Sequence, residues 1–171
     1  MIDLGSSPQF SIRPAERRDV PEIVGLIREL SVYEKLTHLC RVDEASIERH
    51  LFGEPRYIEV LVAESEGRLV GMALYYHNYS TFLAKPGLYL EDLFVQPASR
   101  GRGIGKALLT RLIQVAAERG CGRVDWMVLD WNRPAIDFYE KAFQAELLGE
   151  WRLFRMTEDR FTAAIAADPN A

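Results

Sequence analysis

A glycine-rich turn is the first feature of this 171-residue chain that could do chemistry. It lies between an apolar, strand-like run at 88–95 and a pattern typical of a helix. Backbone N–H groups at such a turn can cradle a phosphate, because glycine permits close approach and a helix N-terminus carries partial positive charge. The turn therefore predicts a phosphate-bearing ligand, the alternative being a flexible turn with solvated arginines. Its residues are Arg100, Gly101, Arg102, Gly103, Ile104 and Gly105.

Two known phosphate-binding fingerprints do not fit this turn. A dinucleotide-binding GxGxxG motif would need glycine where Lys106 stands. A P-loop would need glycine in place of Arg100 and a hydroxyl residue in place of Ala107. Both nucleotide-binding classes are therefore excluded for this segment, although the two arginines of the turn can still pair with a pyrophosphate.

Further polar groups lie on either side of the turn. Glu91 and Asp92 are adjacent on the preceding strand, where regular alternation predicts that they face opposite ways and serve different roles. Downstream, Asn132 and Pro134 open a helix that carries Tyr139. The order of strand, turn and Asn-x-Pro helix favours a functional turn over a merely flexible one.

The elements that must position these groups follow from hydrophobic periodicity. Helices are predicted from Asp19, in a capping box with Glu22, from Asp43, after the glycine turn, and from Asn132. Turn residues at Glu66-Gly67 predict a hairpin. Strands are predicted at 10–13, 57–64, 69–76, 88–95, 124–129 and 151–156.

This order of elements predicts a single α/β (α+β) domain with a mixed sheet. We expect a tail at 1–9, the domain at 10–157 and a second tail at 158–171.

Composition and charge limit the class of protein. The net charge of −4 and pI near 5.5 argue against general affinity for nucleic acid or a membrane surface, and weakly favour a cationic ligand. Cys40 and Cys121 match neither a disulfide framework nor the paired cysteines of a zinc site, so no metal is expected. With no signal-peptide pattern and no uncharged apolar run of about 18 residues, the sequence predicts a cytoplasmic location.

The sequence resembles the GNAT acetyltransferase superfamily, whose motif Arg/Gln-x-x-Gly-x-Gly/Ala is matched by Arg100, Gly103 and Gly105. More narrowly, it is similar to the diamine and polyamine branch, the spermidine/spermine and thialysine N-acetyltransferases. The resemblance implies a GNAT-like domain with a mostly antiparallel sheet flanked by helices, acetyl-CoA as acetyl donor, a small primary amine as acceptor, and a homodimer. The matching stretches are 12–15, 26–30, 33–34, 89–95, 103–105, 131–134, 138–139 and 151–154.

Acetyl transfer to an amine requires the neutral amine, which gives Glu91 a predicted role. A primary amine with a pKa of about 10.4 lies about 3.4 units above pH 7, equivalent to roughly 4.6 kcal/mol. Glu91 is therefore the predicted proton acceptor, directly or through water as the family resemblance implies, with Asp92 in a supporting role. The alternative is that Glu91 is a solvated carboxylate at a strand edge.

The resemblance places the family's catalytic tyrosine at Tyr139. A tyrosine hydroxyl, with a pKa of about 10, can donate a hydrogen bond or proton to the departing CoA thiolate. A core role for Tyr139 is the alternative, because Ile136 and Phe143 share its helical stripe. We expect direct attack by the amine in a ternary complex; the competing class is an acyl-CoA-binding module without turnover.

The resemblance also implies a set of acetyl-CoA-binding residues. Backbone groups at the end of the 88–95 strand would pair with the pantetheine arm like an added strand. Asn132 would hydrogen bond to that arm, although capping of its helix alone would explain it. The full set is Leu93, Phe94, Val95, Arg100, Gly101, Arg102, Gly103, Ile104, Gly105, Lys106, Asn132, Pro134 and Ala135.

A diamine acceptor carries a second, charged amine that needs its own partner. Glu34 is the predicted anchor and Tyr33 a predicted cation–π partner, both implied by the resemblance; alternatively, Glu34 is simply solvated at a helix end. Glu150 and Trp151 are further candidates, but the chain is shorter than the family pattern between Tyr139 and Trp151, which leaves the alignment of Glu150 open. Thialysine, lysine, ornithine or a protein amine are the alternative acceptors.

Overall fold

The computed structural model describes residues 10–168. The chain divides into two compact units, Met1–Asn132 and Arg133–Ala171. The predicted tail at 1–9 lies outside the described residues.

The first unit is built on a five-stranded sheet of order β1-β2-β3-β4-β5. Neighbouring strands are antiparallel except β4 and β5, which are parallel. The predicted mixed, mostly antiparallel sheet flanked by helices is confirmed. The strands are β1 Ser11–Pro14, β2 Glu59–Ser65, β3 Arg68–Ser80, β4 Lys85–Val95 and β5 Val124–Trp126; the helices are α1 Val20–Tyr33, α2 Glu44–Phe52 and α3 Ile104–Glu118.

Helices cover both faces of this sheet because each presents one apolar stripe. Helices α1 and α2 pack on the face that carries Val62, Met72 and Phe94. Helix α3 contacts β2, β3 and β4 with fully buried Leu108 and Leu112. Each such leucine contributes about 1.5–3 kcal/mol through burial.

The start of α1 differs from the prediction. Asp19 has helical backbone angles and does not cap α1 with its side chain, so the predicted capping box with Glu22 is wrong. The buried Asp19 carboxylate instead accepts hydrogen bonds from Arg13 at 2.6 and 2.9 Å and from the Glu16 N–H at 2.7 Å. Because Arg13 also pairs with Glu64 at 2.7 Å, the Arg13 side chain joins β1, β2 and the entry to α1.

The hairpin between β2 and β3 has the predicted turn. Glu66 and Gly67 both have positive φ, 53° and 75°, as a two-residue type I′ turn requires. Next to this turn Ser65 pairs with Arg68 and Glu64 with Leu69, and the register then shifts by one residue, so that Ala63 pairs with Gly71.

Strand β4 contains a bulge that the sequence did not predict. Tyr75 of β3 pairs with Leu90, whereas the preceding residue, Leu74, pairs with Asp92. Glu91 is therefore an extra residue of β4 with no opposite residue on β3. The regular alternation of side chains is interrupted there.

The second unit contains α4 (Arg133–Phe143) and α5 (Glu158–Ala166). The predicted strand at 151–156 is wrong: these residues have no regular structure and pair with no strand of the described chain. A strand needs a partner for its backbone groups, and here Trp151 and Phe154 are 68% and 92% exposed. The run predicted at 124–129 is a strand only over β5.

The predicted C-terminal tail begins with helix α5. Thr157 precedes this helix, and Glu158 and Asp159 in its first turn complement the helix dipole. No helix in residues 10–168 is long and apolar enough to span a bilayer. The same residues contain no group of three or more His, Cys, Asp or Glu side chains that could hold a metal ion.

Candidate active site

The glycine turn between β4 and α3 has the geometry of an anion site. Gly101 and Gly103 have φ of 76° and 81°, in the left-handed region that favours glycine. Because α3 begins at Ile104, the first N–H groups of the helix have no intrahelical partner and are available to a ligand. The predicted residues Ile104, Gly105 and Lys106 supply them.

The edge of β4 beside the turn is open. Strand β5 pairs with β4 only from Leu88 to Leu90, so its pairing stops before the bulge. Beyond Leu90, the β5-facing edge of β4 pairs with no strand among residues 10–168. Leu93, Phe94 and Val95 thus lie where an extended ligand could add to the sheet, in line with their predicted role.

The arginines of the turn have contacts within the protein. The Arg100 Nε donates to the Val95 carbonyl oxygen at 3.0 Å, and its guanidinium lies 4.7 Å from the centre of the Tyr33 ring. An Nη of Arg102 lies 3.5 Å from the Ser65 hydroxyl oxygen. Arg100 therefore connects the turn to the end of α1, which the sequence did not predict.

Three carboxyl groups share one electrostatic environment at the β4 bulge. Asp92 is half-buried, and this burial, followed by the charges of Glu91 and Glu34, raises its pKa to about 7. The bulge interrupts the regular alternation from which opposite faces were predicted for Glu91 and Asp92, and their separate roles stay a prediction. Glu34, at the end of α1, is also half-buried, and burial raises its pKa.

Tyr76 is a site residue that the sequence did not identify. Burial raises the pKa of its hydroxyl, and the neighbouring charge of Glu91 and a hydrogen bond to Glu91 raise it further. The ring stacks on Tyr89, with centres 5.2 Å apart. The signal available in the sequence was that Tyr76 and Tyr89 lie on adjacent strands, but their register depends on the bulge.

A second cluster lies at the end of α1. The Tyr33 hydroxyl donates to Oδ1 of the buried Asn132 at 3.2 Å. The Tyr33 ring centre is 6.1 Å from that of Trp131, and the Lys35 ammonium is 5.4 Å from the Trp131 ring centre. Tyr33 and Asn132 were predicted site residues, whereas Trp131 and Lys35 were missed.

In the second unit, Tyr139 lies half-buried on α4, with Pro134 in the first turn of that helix as predicted. Its ring centre is 5.3 Å from that of Phe138, and Phe138 contacts Phe143. Ala135 is half-buried on the same helix, while Glu150 and Trp151 are exposed. The roles of these residues stay predictions.

Comparison with known proteins identifies the family. Residues 19–143 match the acetyltransferase (GNAT) family. The chain belongs to this family. As a GNAT acetyltransferase it is an enzyme that transfers acetyl groups, and members of the family generally use acetyl-CoA as donor. The resemblance found in the sequence is therefore confirmed.

Two named acetyltransferases and one solved structure are among the proteins similar to this chain. Thialysine N-epsilon-acetyltransferase of Bos taurus is 40% identical over 155 residues, which cover 84% of this chain and 90% of that protein. A spermidine/spermine N(1)-acetyltransferase-like protein of Homo sapiens is 36% identical over 163 residues, which cover 90% of this chain but 23% of that protein. An integron cassette protein from the mobile metagenome of V. cholerae has a similar structure, with a TM-score of 0.76 and 25% identity over 95% of this chain and 100% of that one.

The raised pKa of Asp92 predicts a pH-dependent stability for this GNAT enzyme. The ionised form is disfavoured only in the folded state, so stability falls as pH rises from the unfolded pKa of about 3.9 towards about 7. Between pH 5 and pH 8, the wild type should lose about 2.6 kcal/mol of unfolding free energy relative to Asp92→Asn. Urea unfolding at both pH values measures this difference.

The exposed Asp130 offers a matched control for this measurement. Asp130→Asn makes the same chemical change and should keep the pH dependence of the wild type. Identical pH dependence in the wild type and Asp92→Asn would contradict the assigned titration.

Proposed function

We propose that this enzyme transfers the acetyl group of acetyl-CoA to a primary amine of a small diamine or polyamine. The observation that carries the proposal is the shared environment of Glu34, Asp92 and Glu91, in which the two glutamates both act on the central carboxyl group. A diamine has two ammonium groups, and two carboxylates at one site complement them. The anion-binding turn directly follows the same strand.

The residues present fit acetyl-CoA as the donor. When bound, acetyl-CoA supplies the acetyl group as an activated thioester. The first N–H groups of α3 would hold its phosphates, and the open edge of β4 from Leu93 to Val95 would pair with its amide-bearing arm. Arg102 lies on the turn, where its charge favours a pyrophosphate.

Glu91 is the proposed proton acceptor for the reacting amine. It is exposed at the bulge, and therefore accessible to an acceptor or to a bridging water. The hydrogen bond with Tyr76 orients its carboxylate. Asp92, held partly protonated near neutral pH, limits the total negative charge beside it.

Tyr139 is the proposed proton donor to the departing thiolate. With Glu91 to remove a proton and Tyr139 to return one, the amine can attack directly in a ternary complex without a covalent enzyme intermediate. A module that only bound acyl-CoA would need neither group.

A basic amino acid is the second candidate acceptor. The similarity to thialysine N-epsilon-acetyltransferases favours it, since thialysine carries a side-chain amine beside an α-ammonium and an α-carboxylate. Both candidates have a distal ammonium that Glu34 could hold. A protein amine is a third possibility from the sequence, and nothing in the described residues favours it.

The proposal is tested by acetyl-CoA consumption over a panel of polyamines, short diamines, monoamines, basic amino acids and peptides. We expect the highest kcat/KM for a diamine or polyamine. Preference for ornithine, lysine or thialysine would instead select the amino-acid acceptor. Absence of turnover with every amine would overturn the proposed activity.

Glu34→Gln should raise KM for diamines by about fivefold while changing KM for monoamines less, because only diamines present a second ammonium. Steady-state kinetics with 1,4-diaminobutane and 1-aminobutane measures the two effects. Glu66→Gln, in the exposed hairpin turn, is the matched control. Equal changes for both amines would remove Glu34 as the distal anchor.

A homodimer and a cytoplasmic location also stay proposals. Sedimentation of the purified chain over a range of concentrations tests the first, and localisation of a tagged full-length chain tests the second. The roles of Glu150 and Trp151 in acceptor length belong to the same set of open proposals.

A further inference from the structure

The chain places one of its own cations on the face of Trp131. The Lys35 ammonium lies 5.4 Å from the ring centre, within the range of a cation–π contact. Trp131 is 45% exposed, so this face is accessible from solvent. The proposed function uses neither residue, although Trp131 contacts Tyr33 and Lys35 follows Glu34 in the chain.

The backbone at the end of α1 holds Lys35 in a defined position. Lys35 has φ of 62°, in the left-handed region that usually carries glycine after a helix. The Leu36 N–H donates to the Ser31 carbonyl at 2.8 Å and the Lys35 N–H to the Val32 carbonyl at 3.1 Å, which closes the helix end. The Lys35 side chain therefore begins from a fixed point next to Glu34.

The surroundings of the Lys35 ammonium suit any alkylammonium group. The Trp131 face supplies cation–π attraction, the Tyr33 ring lies 6.1 Å from it, and Glu34 supplies a half-buried carboxylate one residue away in the chain. A free diamine presents the same group as Lys35, an ammonium on a flexible methylene chain. Glu34 also acts on Asp92, which places this cluster within electrostatic reach of the β4 bulge.

We propose that the Trp131 face and Glu34 form the subsite for the distal ammonium of the acceptor, and that Lys35 occupies this subsite until the acceptor displaces it. The proposal rests on the proposed function for its acceptor class. Lys35 is then a specificity-determining residue: it competes with acceptors that carry a distal ammonium and is indifferent to those that lack one. The distal ammonium of a diamine must therefore displace Lys35 from the subsite in order to bind there.

The test compares KM for 1,4-diaminobutane with KM for 1-aminobutane in Lys35→Gln, Trp131→Leu and the double variant. Lys35→Gln should lower the ratio of diamine KM to monoamine KM about two- to fivefold, the strength of an exposed cation–π contact. Trp131→Leu should raise the ratio by a similar factor. In the Trp131→Leu background, Lys35→Gln should lower it by a smaller factor, because the shared face is gone.

Lys85→Gln, at the exposed start of β4, makes the same chemical change away from the cluster and should leave the ratio as in the wild type. An unchanged or increased ratio in Lys35→Gln would overturn the proposal. An increased KM for ornithine in the same variant would show that Lys35 binds a carboxylate, and would also overturn it.

Calorimetric titration separates failure of the subsite from failure of the proposed function. If the wild type does not acetylate the diamine, the acceptor class of the proposed function fails, but diamine binding can still be measured. Tighter binding of 1,4-diaminobutane to Lys35→Gln than to the wild type would support the subsite. Equal or weaker binding would overturn it. Because Lys35 is exposed, this variant does not depend on a change in the core.

Discussion

Glu91→Gln is expected to lower kcat about a hundredfold at pH 7 with a saturating diamine. General base catalysis contributes about 10²–10⁴-fold, and the lower end applies because the Asp92 carboxyl group, with a pKa of about 7, remains beside the site. Glutamine keeps the size of the side chain but cannot accept the proton. Initial rates of acetyl-CoA consumption measure the effect.

The pH dependence of the loss of kcat in Glu91→Gln tests the role in proton transfer more directly than its size at pH 7. The neutral fraction of a primary amine rises about tenfold per pH unit below its pKa of about 10.4, so solvent progressively replaces the missing base. The deficit should therefore shrink between pH 7 and pH 9. Glu66→Gln should behave like the wild type throughout. A deficit that stays constant to pH 9, or an undiminished kcat, would remove Glu91 from proton transfer.

Tyr139→Phe is expected to lower kcat at least about tenfold while changing the affinity for acetyl-CoA by less than about twofold. The substitution removes one oxygen and keeps the ring, which contacts Phe138 on α4. Single-turnover kinetics and calorimetric titration with acetyl-CoA measure the two quantities. Tyr79→Phe is the matched control, because Tyr79 is 61% exposed on β3.

The leaving group distinguishes proton donation from a packing role of Tyr139. A more acidic thiol leaves more readily as its thiolate, without a proton donor. With an acetyl thioester of such a thiol, the loss of kcat in Tyr139→Phe should therefore be smaller. A purely structural role would give the same deficit with both thioesters. An unchanged kcat in Tyr139→Phe would show that the hydroxyl takes no part in the reaction.

Features set by local backbone chemistry could be predicted from the sequence. The Glu66-Gly67 hairpin and the turn at Gly101 and Gly103 both require positive φ, which few residue types accept. The start of α2 at Asp43 was also predictable, since Asp43 accepts from the Ser46 N–H at 2.7 Å. In each case the residues that determine the structure lie within four positions of one another.

Features set by distant partners could not be predicted. Asp19 has the sequence context of a helix cap, but its carboxylate accepts hydrogen bonds from Arg13 on β1. The strand pattern at 151–156 has no partner, which no local pattern reveals. Contacts of Trp131 with Tyr33 and Lys35 span about a hundred positions of chain.

The β4 bulge belongs to the same group, and it governs the candidate site. A bulge depends on the register of two strands, and residues 88–95 contain no glycine or proline to mark one. Strict alternation would place Glu91 and Asp92 on opposite faces, but the observed register interrupts it, and the charges of Glu91 and Glu34 both act on Asp92. The identities of the acidic residues were predictable, but their grouping was not.

The bulge also makes the candidate site depend on one extra residue in β4. Because β4 has one residue more than β3 opposite Leu74 and Tyr75, loss of position 91 would leave the cross-strand pairs on either side in the same register. The ladder would then be regular, and the helices on both faces would meet the same side chains as before. The proposed base is thus an insertion into an otherwise regular pairing of β3 with β4, and a single codon separates the pairing that carries it from one that does not.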